Sequence, residues 1–397
     1  MTTQGDLLHI VTNDNLSPRR IAFGRLLIWG SVAVLLATAL LQTLQAVGVL
    51  DAGFANWRPT LYAYTLWAIC LCWGQVLTRG EQGKRVLFVL PAVLFVISLT
   101  IIPLVFGLGI AFSDWNLSSP DGREFNGFDN LRQMWGDPFY WNALGNMLWY
   151  CSAIIVEYAI AFGLALMLNS QIRARKFFRV AFLLPLMLSP VAVSWMIGKS
   201  MLENRFGPIA RLSRAMGDGL EWVGTEIGNA IPAVQGSGFG SGVVEALQNP
   251  AFFSSPGMAR LMIMLMDAWT FIPFMMIMIL AGLQAIPREV QEAARVDGAN
   301  GWRGFWEVTF PLMLPVSITA ILIRIIFKLK LADIIITVTA GGPGGATDSV
   351  TSFIFREYRE RSNVGYGTML AMVYLVIIII GMTLLMKLAE RWTKPQT

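Results

Sequence analysis

Histidine is nearly absent from this chain of 397 residues, whose one histidine, His9, lies in a polar N-terminal segment. Cysteine is scarce as well, and Cys70, Cys72 and Cys151 all stand inside apolar stretches. Cys70 and Cys72 are two residues apart, so on a helix they point to different faces. The pattern predicts neither a disulfide framework nor a metal site, and His9 without companion ligands is interpreted as inert. Histidine-dependent catalysis is therefore not expected.

Charge is also in short supply, with 14% charged residues against 55% apolar ones, too little polarity to cover a water-soluble protein. The formal net charge of +5 is scattered through short loops between apolar runs. We interpret these basic residues as topology signals and expect no nucleic-acid partner. The Gly-x-x-x-x-Gly-Lys-Ser/Thr loop that cradles nucleotide phosphates is missing, and no cofactor is predicted. The natural solvent of such a chain is the lipid bilayer.

Long apolar runs fill the sequence instead. Because backbone polar groups in hydrocarbon must bond internally and a crossing needs about 20 residues, each run is predicted to be a transmembrane helix. The first run is too long for the core of a signal peptide and is predicted to remain as an anchor. The prediction is an all-α polytopic membrane bundle of about eight helices, at residues 21–49, 60–78, 86–112, 142–168, 177–201, 259–284, 312–336 and 366–388.

Lysine and arginine in the short loops predict the orientation. The connections 79–85 and 173–179 are rich in both residues, whereas the loop 50–59 carries Arg58 alone. Basic loops remain in the cytoplasm, so with eight crossings both termini are predicted to be cytoplasmic. The segment 285–311 then lies in the cytoplasm as well. The external segments are predicted to be 113–141, 202–258 and 337–365.

A polar segment between the sixth and seventh predicted helices has a helical pattern of its own. Residues 286–299 read Ile-Pro-Arg-Glu-Val-Gln-Glu-Ala-Ala-Arg-Val-Asp-Gly-Ala. Pro287 suits the first helical position, and Gly298 suits the left-handed conformation that ends a helix. One interpretation is a docking helix, because Glu292 offers a carboxylate to an arginine of a partner protein. An ordinary loop helix that merely joins two spans is the alternative.

The spacing of motifs in this region resembles the EAA loop of binding-protein-dependent ABC importer permeases, and its Asp-Gly-Ala form resembles the sugar branch, including maltose-type permeases. The resemblance extends from about residue 85 to 390. The residues that carry it are Glu292-Ala293-Ala294, Asp297-Gly298-Ala299, Phe310-Pro311, Pro315, Phe178-Arg179, Leu184-Pro185, Trp195, Gly282-Leu283-Gln284, Gly341-Gly342-Pro343 and Thr347.

This resemblance implies a transport subunit of the bacterial inner (plasma) membrane that is not itself an enzyme. It implies a second permease subunit, a cytoplasmic ABC ATPase dimer that binds the ATP, and an extracytoplasmic solute-binding protein as partners. It also implies a role in ATPase coupling for Glu292, Ala293, Ala294, Asp297, Gly298, Ala299 and Pro311.

The same resemblance divides the chain into regions. A cytoplasmic tail, 1–20, precedes two accessory helices in 21–80, and a six-helix permease core follows in 85–390 with the coupling loop 285–311 inside it. Two features depart from the commonest family pattern. The two N-terminal helices are additional, and the external loop 202–258 is expanded around a glycine-rich run at 236–242.

Ionisable residues inside the predicted spans are costly, about 2.5 to 3.5 kcal/mol each or more, so they are expected to face the bundle interior and to find partners. Glu157 and Arg324 lie at similar depths and are predicted to pair across helices, and Lys330 and Asp333 are predicted to share one helix face. The alternatives for these charges are a buried pair that fixes helix register and a solute path. The candidate residues are Glu157, Arg324, Asp267, Lys328, Trp195 and Trp269, with Phe271 as a further ring that could stack on a sugar.

Other classes of protein remain possible from the residues alone. A secondary transporter of small polar solutes would work without an ATPase and would usually show interrupted helices in matching halves. An intramembrane enzyme would need a nucleophile or metal constellation in its spans. A membrane scaffold would leave the docking segment unexplained. The solute stays open among oligosaccharides, monosaccharides, polyols and glycerol phosphates.

Overall fold

The computed structural model describes most of the chain, and two predictions fall partly outside the described part. His9 and most of the predicted tail precede residue 17, and most of the glycine-rich run lies in 231–240. The described residues are 17–46, 53–54, 56–119, 122–170, 173, 175–230, 241–250 and 252–393.

The described residues are mainly helical, which confirms the predicted all-α class, with one short exception. Ser113–Trp115 (β1) pairs antiparallel with Arg123–Phe125 (β2), with Asp114 opposite Glu124. The helices from the N-terminus are Pro18–Ala46 (α1), Arg58–Val96 (α2), Ile102–Ala111 (α3), Asp129–Gly136 (α4), Pro138–Asn169 (α5), Arg175–Ala181 (α6), Leu184–Met187 (α7) and Pro190–Val193 (α8). The others are Pro208–Ala230 (α9), Ser241–Gln248 (α10), Pro256–Ala285 (α11), Arg288–Val296 (α12), Gly301–Arg303 (α13), Phe310–Leu329 (α14), Asp333–Val338 (α15), Val350–Arg359 (α16) and Val364–Thr393 (α17). The π-helical segments Ile97–Ile101, Ser194–Met201 and Gly304–Thr309 continue three of these helices.

Six of the described helices are long and apolar enough to cross a membrane, or seven if one bent pair is a single crossing. The predicted number of eight is therefore not confirmed. One missing crossing lies in Arg58–Ala111, a single long element where two crossings were predicted, and the other is the bent pair, which was predicted as one crossing at 177–201. The six are Pro18–Gln45, Arg58–Ala111, Pro138–Asn169, Pro256–Ala285, Gly301–Val338 and Val364–Arg391.

Helix α2 folds back on itself at Gly80, whose φ of 55° and ψ of −124° are open to glycine and costly for other residues. The hydroxyl of Tyr64 donates to the carbonyl oxygen of Leu94 at 2.6 Å, although 30 residues separate them. A straight helix would hold these residues about 45 Å apart. The two arms therefore lie side by side, which supports the prediction of separate crossings at 60–78 and 86–112.

The chain forms two compact units, Met1–Gly107 and Leu108–Thr397. In the first unit, helices α1 and α2 approach closely where glycines face each other. A Cβ on Gly24 would lie 2.8 Å from Thr78 Cγ2, and one on Gly74 would lie 2.4 Å from Ile28 Cγ1. Small residues allow such approach between membrane helices. The third predicted crossing falls mostly in this unit, so the start of the permease core at residue 85 stays a prediction.

The second unit is built on helices α5, α11 and α14, which pack on one another. Small side chains on α5 make the close packing possible, since Ala143, Ala161 and Ala165 have no exposed surface. Methionine fills the spaces between the helices, with Met275 and Met276 fully buried. This three-helix centre positions the intramembrane charges described below.

The prediction of one continuous helix over 177–201 is wrong, because this segment is bent. The segment is broken between α7 and α8, and its two parts, Arg175–Met187 and Pro190–Met201, meet at a bend of 97°. Pro190 cannot donate a backbone hydrogen bond, and Ser189 in extended conformation caps the next helix by accepting from the Ala192 N–H at 3.2 Å. Apolar composition predicted a crossing, whereas the local Ser-Pro pair decides where the backbone turns.

Candidate functional site

Four charged side chains meet inside the second unit. Arg324 donates from Nε to Glu157 Oε2 at 2.6 Å and from Nη2 to Glu157 Oε1 at 3.2 Å. Lys328 donates from Nζ to Glu157 Oε1 at 2.8 Å. Asp267 accepts from both Arg324 and Lys328. We call these four residues the charge cluster.

The three central helices supply the charge cluster. Glu157 comes from α5, Asp267 from α11, and Arg324 and Lys328 from α14, where a spacing of four residues puts both cations on one face. All four side chains are at most 3% exposed. The Phe271 ring lies 4.4 Å from Arg324 Cζ, an arrangement that favours a cation over an aromatic face.

The charge cluster contains two carboxylates and two cations and is therefore neutral. The predicted pair of Glu157 with Arg324 is present, and the structure adds Asp267 and Lys328 to the same network. A buried charge is tolerated when it is paired and hydrogen-bonded. Mutual neutralisation therefore explains how four ionisable side chains can be buried between the helices. Their lack of exposed surface favours the register-fixing interpretation over direct contact with a solute.

The aromatic residues predicted for the solute path differ in their surroundings. Trp195 and Trp269 are exposed, with 59% and 38% of their surface accessible. Phe271 stacks on Phe327 with ring centroids 5.4 Å apart, and it serves the packing of α11 on α14. The two tryptophans are therefore free to meet lipid, a partner subunit or a solute.

The prediction that Lys330 and Asp333 share a helix face is wrong. Helix α14 ends at Leu329 and α15 begins at Asp333, so a break in the helix separates the two residues. Both residues instead line a cavity of about 370 Å³. Its remaining lining residues are Val191, Ala332, Ile336, Thr337, Thr351 and Phe355. The cavity combines two charges of opposite sign, two hydroxyls and an aromatic ring.

Helix α12 forms the predicted short polar helix between two spans, and none of its residues is buried. Pro287 stands one position before the helix, at the N-cap, instead of at the predicted first helical position. At the other end Gly298 has a φ of +83°, as predicted for the left-handed terminator. The Ala299 N–H donates to Ala294 O at 2.9 Å and the Gly298 N–H to Arg295 O at 3.1 Å, the two bonds of a Schellman motif.

The coupling residues predicted from the resemblance lie on the surface of this segment. Glu292, Ala293, Asp297 and Gly298 are exposed, and Ala294 and Ala299 are half-buried. Pro311 is exposed near the start of α14. Helix α12 therefore presents open side chains between two spans, and short connections join it to both.

A third polar arrangement was missed in the sequence. Asn146 of α5 donates to the carbonyl oxygens of Ala346 and Asp348 at 2.8 and 2.9 Å. Asn142 donates to Gly345 O at 2.8 Å, and Tyr150 donates to Thr347 O at 2.8 Å. These side chains fasten the glycine-rich loop 339–349, which was singled out only for its family resemblance. These three polar residues recur every four positions along one apolar helix, and this spacing is the signal from which a shared contact could have been inferred.

Asp348 completes this loop. Its carboxylate accepts from Ser352 Oγ at 3.0 Å and pairs with Arg356. Burial raises the pKa of Asp348 to about 6, while the nearby Arg356 guanidinium acts in the opposite direction. Gly341 is required beside it, since its φ is +82° and a Cβ there would lie 2.3 Å from Asp348 Oδ1.

The structure combines long apolar helices, a charge cluster of zero net charge buried between them, and an exposed polar helix between two spans. These features define a multi-pass membrane protein. Comparison with known families gives the particular assignment. Residues 157–394, more than half of the chain, match the family described as binding-protein-dependent transport system inner membrane component. The chain belongs to this family and is a multi-pass inner-membrane permease subunit of an ABC-type importer.

Two of the relatives illustrate that the similarity extends over most of their length. The sulfoquinovosyl glycerol transport system permease protein SmoG of Agrobacterium fabrum is 30% identical over 304 residues, 76% of this chain and 88% of SmoG. The trehalose/maltose transport system permease protein MalF of Thermococcus litoralis is 28% identical over 301 residues, 75% of this chain and 91% of MalF. Both are permease proteins of transport systems, in line with the family assignment.

Solved structures share the fold. A bacterial ABC transporter involved in the import of the acidic polysaccharide alginate aligns with a TM-score of 0.60 at 21% identity, covering 77% of this chain and 95% of the compared chain. A second structure, of a bacterial alginate ABC transporter in complex with an alginate pentasaccharide-bound periplasmic protein, aligns with the same TM-score at 19% identity. The arrangement of helices is therefore that of ABC importer permeases.

Proposed function

We propose that this chain is the permease subunit that moves a carbohydrate or polyol-like solute in an ATP-driven importer. An extracytoplasmic binding protein delivers the solute, and a second permease subunit completes the pathway. A cytoplasmic ABC ATPase dimer binds and hydrolyses the ATP. The observation that carries this proposal is helix α12, a polar helix without buried residues held between two spans.

Coupling through α12 follows from how the helix is attached. Ile286 and Phe310 flank the α12 segment, and both pack against a buried cluster formed by α5, α11 and α14. The charge cluster ties the same three helices together farther along the bundle. A displacement of α12 by the ATPase therefore reaches α5, α11 and α14 as a group, and rigid elements of this kind transmit coupling between distant sites.

The proposed solute class is supported by the relatives and by one cavity. The relatives' names refer to sulfoquinovosyl glycerol, trehalose, maltose and starch degradation products, all rich in hydroxyl groups. The cavity that contains Lys330, Asp333, Thr337 and Thr351 offers donors and acceptors to hydroxyls, with Phe355 as an apolar ring face. Such a mixture of polar groups and one aromatic ring suits a sugar ring.

The proposed orientation places α12 and both termini in the cytoplasm. It requires two crossings in Arg58–Ala111 and one in the bent segment Arg175–Met201. The fold-back at Gly80 supports the first requirement. The second is supported by the two parts of the bent segment, which together are long and apolar enough to cross a membrane.

Co-purification with the ATPase tests the proposal. Glu292→Lys is expected to lose the bound ATPase and solute uptake, because it reverses the exposed charge at the centre of α12. Glu245→Lys makes the same change at an exposed position of α10 and is expected to retain both. Solute uptake that persists in cells without any ATPase partner would instead identify a secondary transporter.

A further inference from the structure

The expanded segment 202–258 contains a helix pair. Helix α10 packs on one face of α9, where Ser213 donates to Leu247 O at 2.8 Å. Gln248 donates to Asp218 and Glu221 at 3.0 and 2.6 Å. Gly217 lets the helices approach, since a Cβ there would lie 2.8 Å from Gln248 Cγ. This face of α9 is therefore occupied by α10.

A different face of α9 carries an uncovered apolar stripe. Its side chains recur at intervals of three and four residues, so they line one side of the helix. The exposed fractions are 38% for Ile209, 62% for Leu212, 53% for Met216, 46% for Leu220 and 42% for Val223. We call these five residues the α9 stripe. None of the described residues of the chain covers the α9 stripe.

The position of α9 in the chain indicates what covers the stripe. The loop 202–207 joins α9 to the bent segment that ends at Met201, and residues 249–255 lead from α10 into the span that begins at Pro256. Connections of this length reach at most about 25 Å. The helix pair therefore stays within about 25 Å of the ends of these two spans.

The polarity around the stripe suits that surface. Trp222, 66% exposed, lies beyond one edge of the stripe, and Phe206, 71% exposed, precedes the helix. The carboxylates of Asp218 and Glu221 point to the α10 side, where Gln248 holds them. Helices with one apolar face, polar residues on their other faces and nearby aromatic residues lie in the plane of a membrane interface.

We propose that α9 lies along the bilayer surface with the α9 stripe inserted among the lipid acyl chains. The helix pair then anchors the ends of the bent segment and of α11 to the leaflet. This role belongs to the expanded segment of this chain and does not depend on the solute or on the ATPase.

Spin labels on the complete importer in lipid nanodiscs test this proposal. Cys70, Cys72 and Cys151 are first replaced by serine, and single cysteines are then introduced by Leu212→Cys, Met216→Cys and Thr225→Cys. Thr225 is the control, because it is exposed on the opposite side of α9 and bonds only within its own turn, to Glu221 O at 2.8 Å. Collision rates with oxygen, which concentrates in lipid, and with a nickel chelate, which stays in water, are measured at each site.

The expected result is an oxygen-to-nickel ratio several-fold higher at positions 212 and 216 than at 225. Equal, nickel-dominated ratios at all three positions would overturn the proposal, since the stripe would then face water. Low collision rates with both reagents at 212 and 216 would overturn it as well, because a protein surface, from the binding protein or the second permease subunit, would then cover the stripe.

Discussion

Arg324 and Glu157 lie 167 residues apart in the chain and form two hydrogen bonds inside the bundle, at 2.6 and 3.2 Å. Neither side chain has more than 2% of its surface exposed. The pair shares its neighbours Asp267 and Lys328, so the charge balance of the cluster depends on all four residues. Substitutions in the cluster are therefore expected to be strongly non-additive.

Glu157→Gln is expected to lower the stability of the assembled subunit by about 3 kcal/mol, because it leaves an excess positive charge buried. The double variant Glu157→Gln with Lys328→Gln restores neutrality and keeps the pair of Arg324 with Asp267, so much of the loss should be recovered. Thermal unfolding of the complex, followed by size-exclusion chromatography, measures both effects. Arg132→Gln removes an exposed ion pair and serves as the control, with little change expected. The neutrality argument would be contradicted if the double variant lost more stability than the two single variants lose together.

Gly298→Val is expected to abolish transport while the subunit still inserts in the membrane. A φ of +83° is strained for any residue with a β-branched side chain, so the end of α12 would have to rearrange. Gly301→Ala is the matched control in the same connection, because a Cβ there meets nothing within 4 Å and its φ is not positive. Uptake of labelled solute and subunit abundance in membranes are the two measurements. Normal uptake in Gly298→Val with the ATPase bound would remove α12 from the coupling path.

Asn146→Leu is expected to destabilise the second unit by about 1 to 3 kcal/mol, since two carbonyl oxygens of the loop 339–349 lose their donor. Asn142→Leu removes one such bond and should cost less. The unfolding temperatures of the two variants in detergent give the comparison. An equal or reversed order would show that the loop is held mainly by other contacts.

The pH dependence of stability should report on Asp348. Its folded-state pKa of about 6 lies above the ordinary value of 3.8, so the folded protein binds a proton more readily than the unfolded chain. The charged form therefore costs stability above pH 6, and this cost is lifted as the pH falls through 6 toward 4. Relative to Asp348→Asn, the unfolding temperature of the wild-type protein is expected to rise between pH 7 and pH 5. A constant difference across this range would mean that Asp348 does not titrate there.

The orientation can be tested with cysteines at two exposed positions. Thr225→Cys in α9 should react with a membrane-impermeant maleimide added to intact cells, whereas Asn300→Cys beside α12 should react only after the membrane is opened. The reason is that an odd number of crossings separates these two segments. Labelling of Asn300→Cys from outside would reject the proposed topology and with it the cytoplasmic docking of α12.

Part of the site could be predicted because it depends on local chemistry. The polar helix at α12 and its left-handed end at Gly298 follow from proline, alanine and glycine preferences that act within a few residues. The pairing of Glu157 with Arg324 followed from the cost of an unpaired charge in lipid together with equal distances from the ends of two helices. The predicted pairing of Lys330 with Asp333 failed, because it assumed a helix that continues past Leu329.

The sequence by itself determined that this chain is a membrane protein and which of its segments are apolar enough to cross the bilayer. It also determined where a polar helix stands between two apolar segments. Those properties arise from composition over about 20 residues and from backbone preferences. Only the tertiary structure decided that Asp267 and Lys328 join Glu157 and Arg324, that asparagines of α5 hold the loop 339–349, and that one face of α9 stays open. Such contacts join residues more than 50 positions apart or depend on which faces are covered, and they are fixed by the way helices pack, which no local pattern encodes.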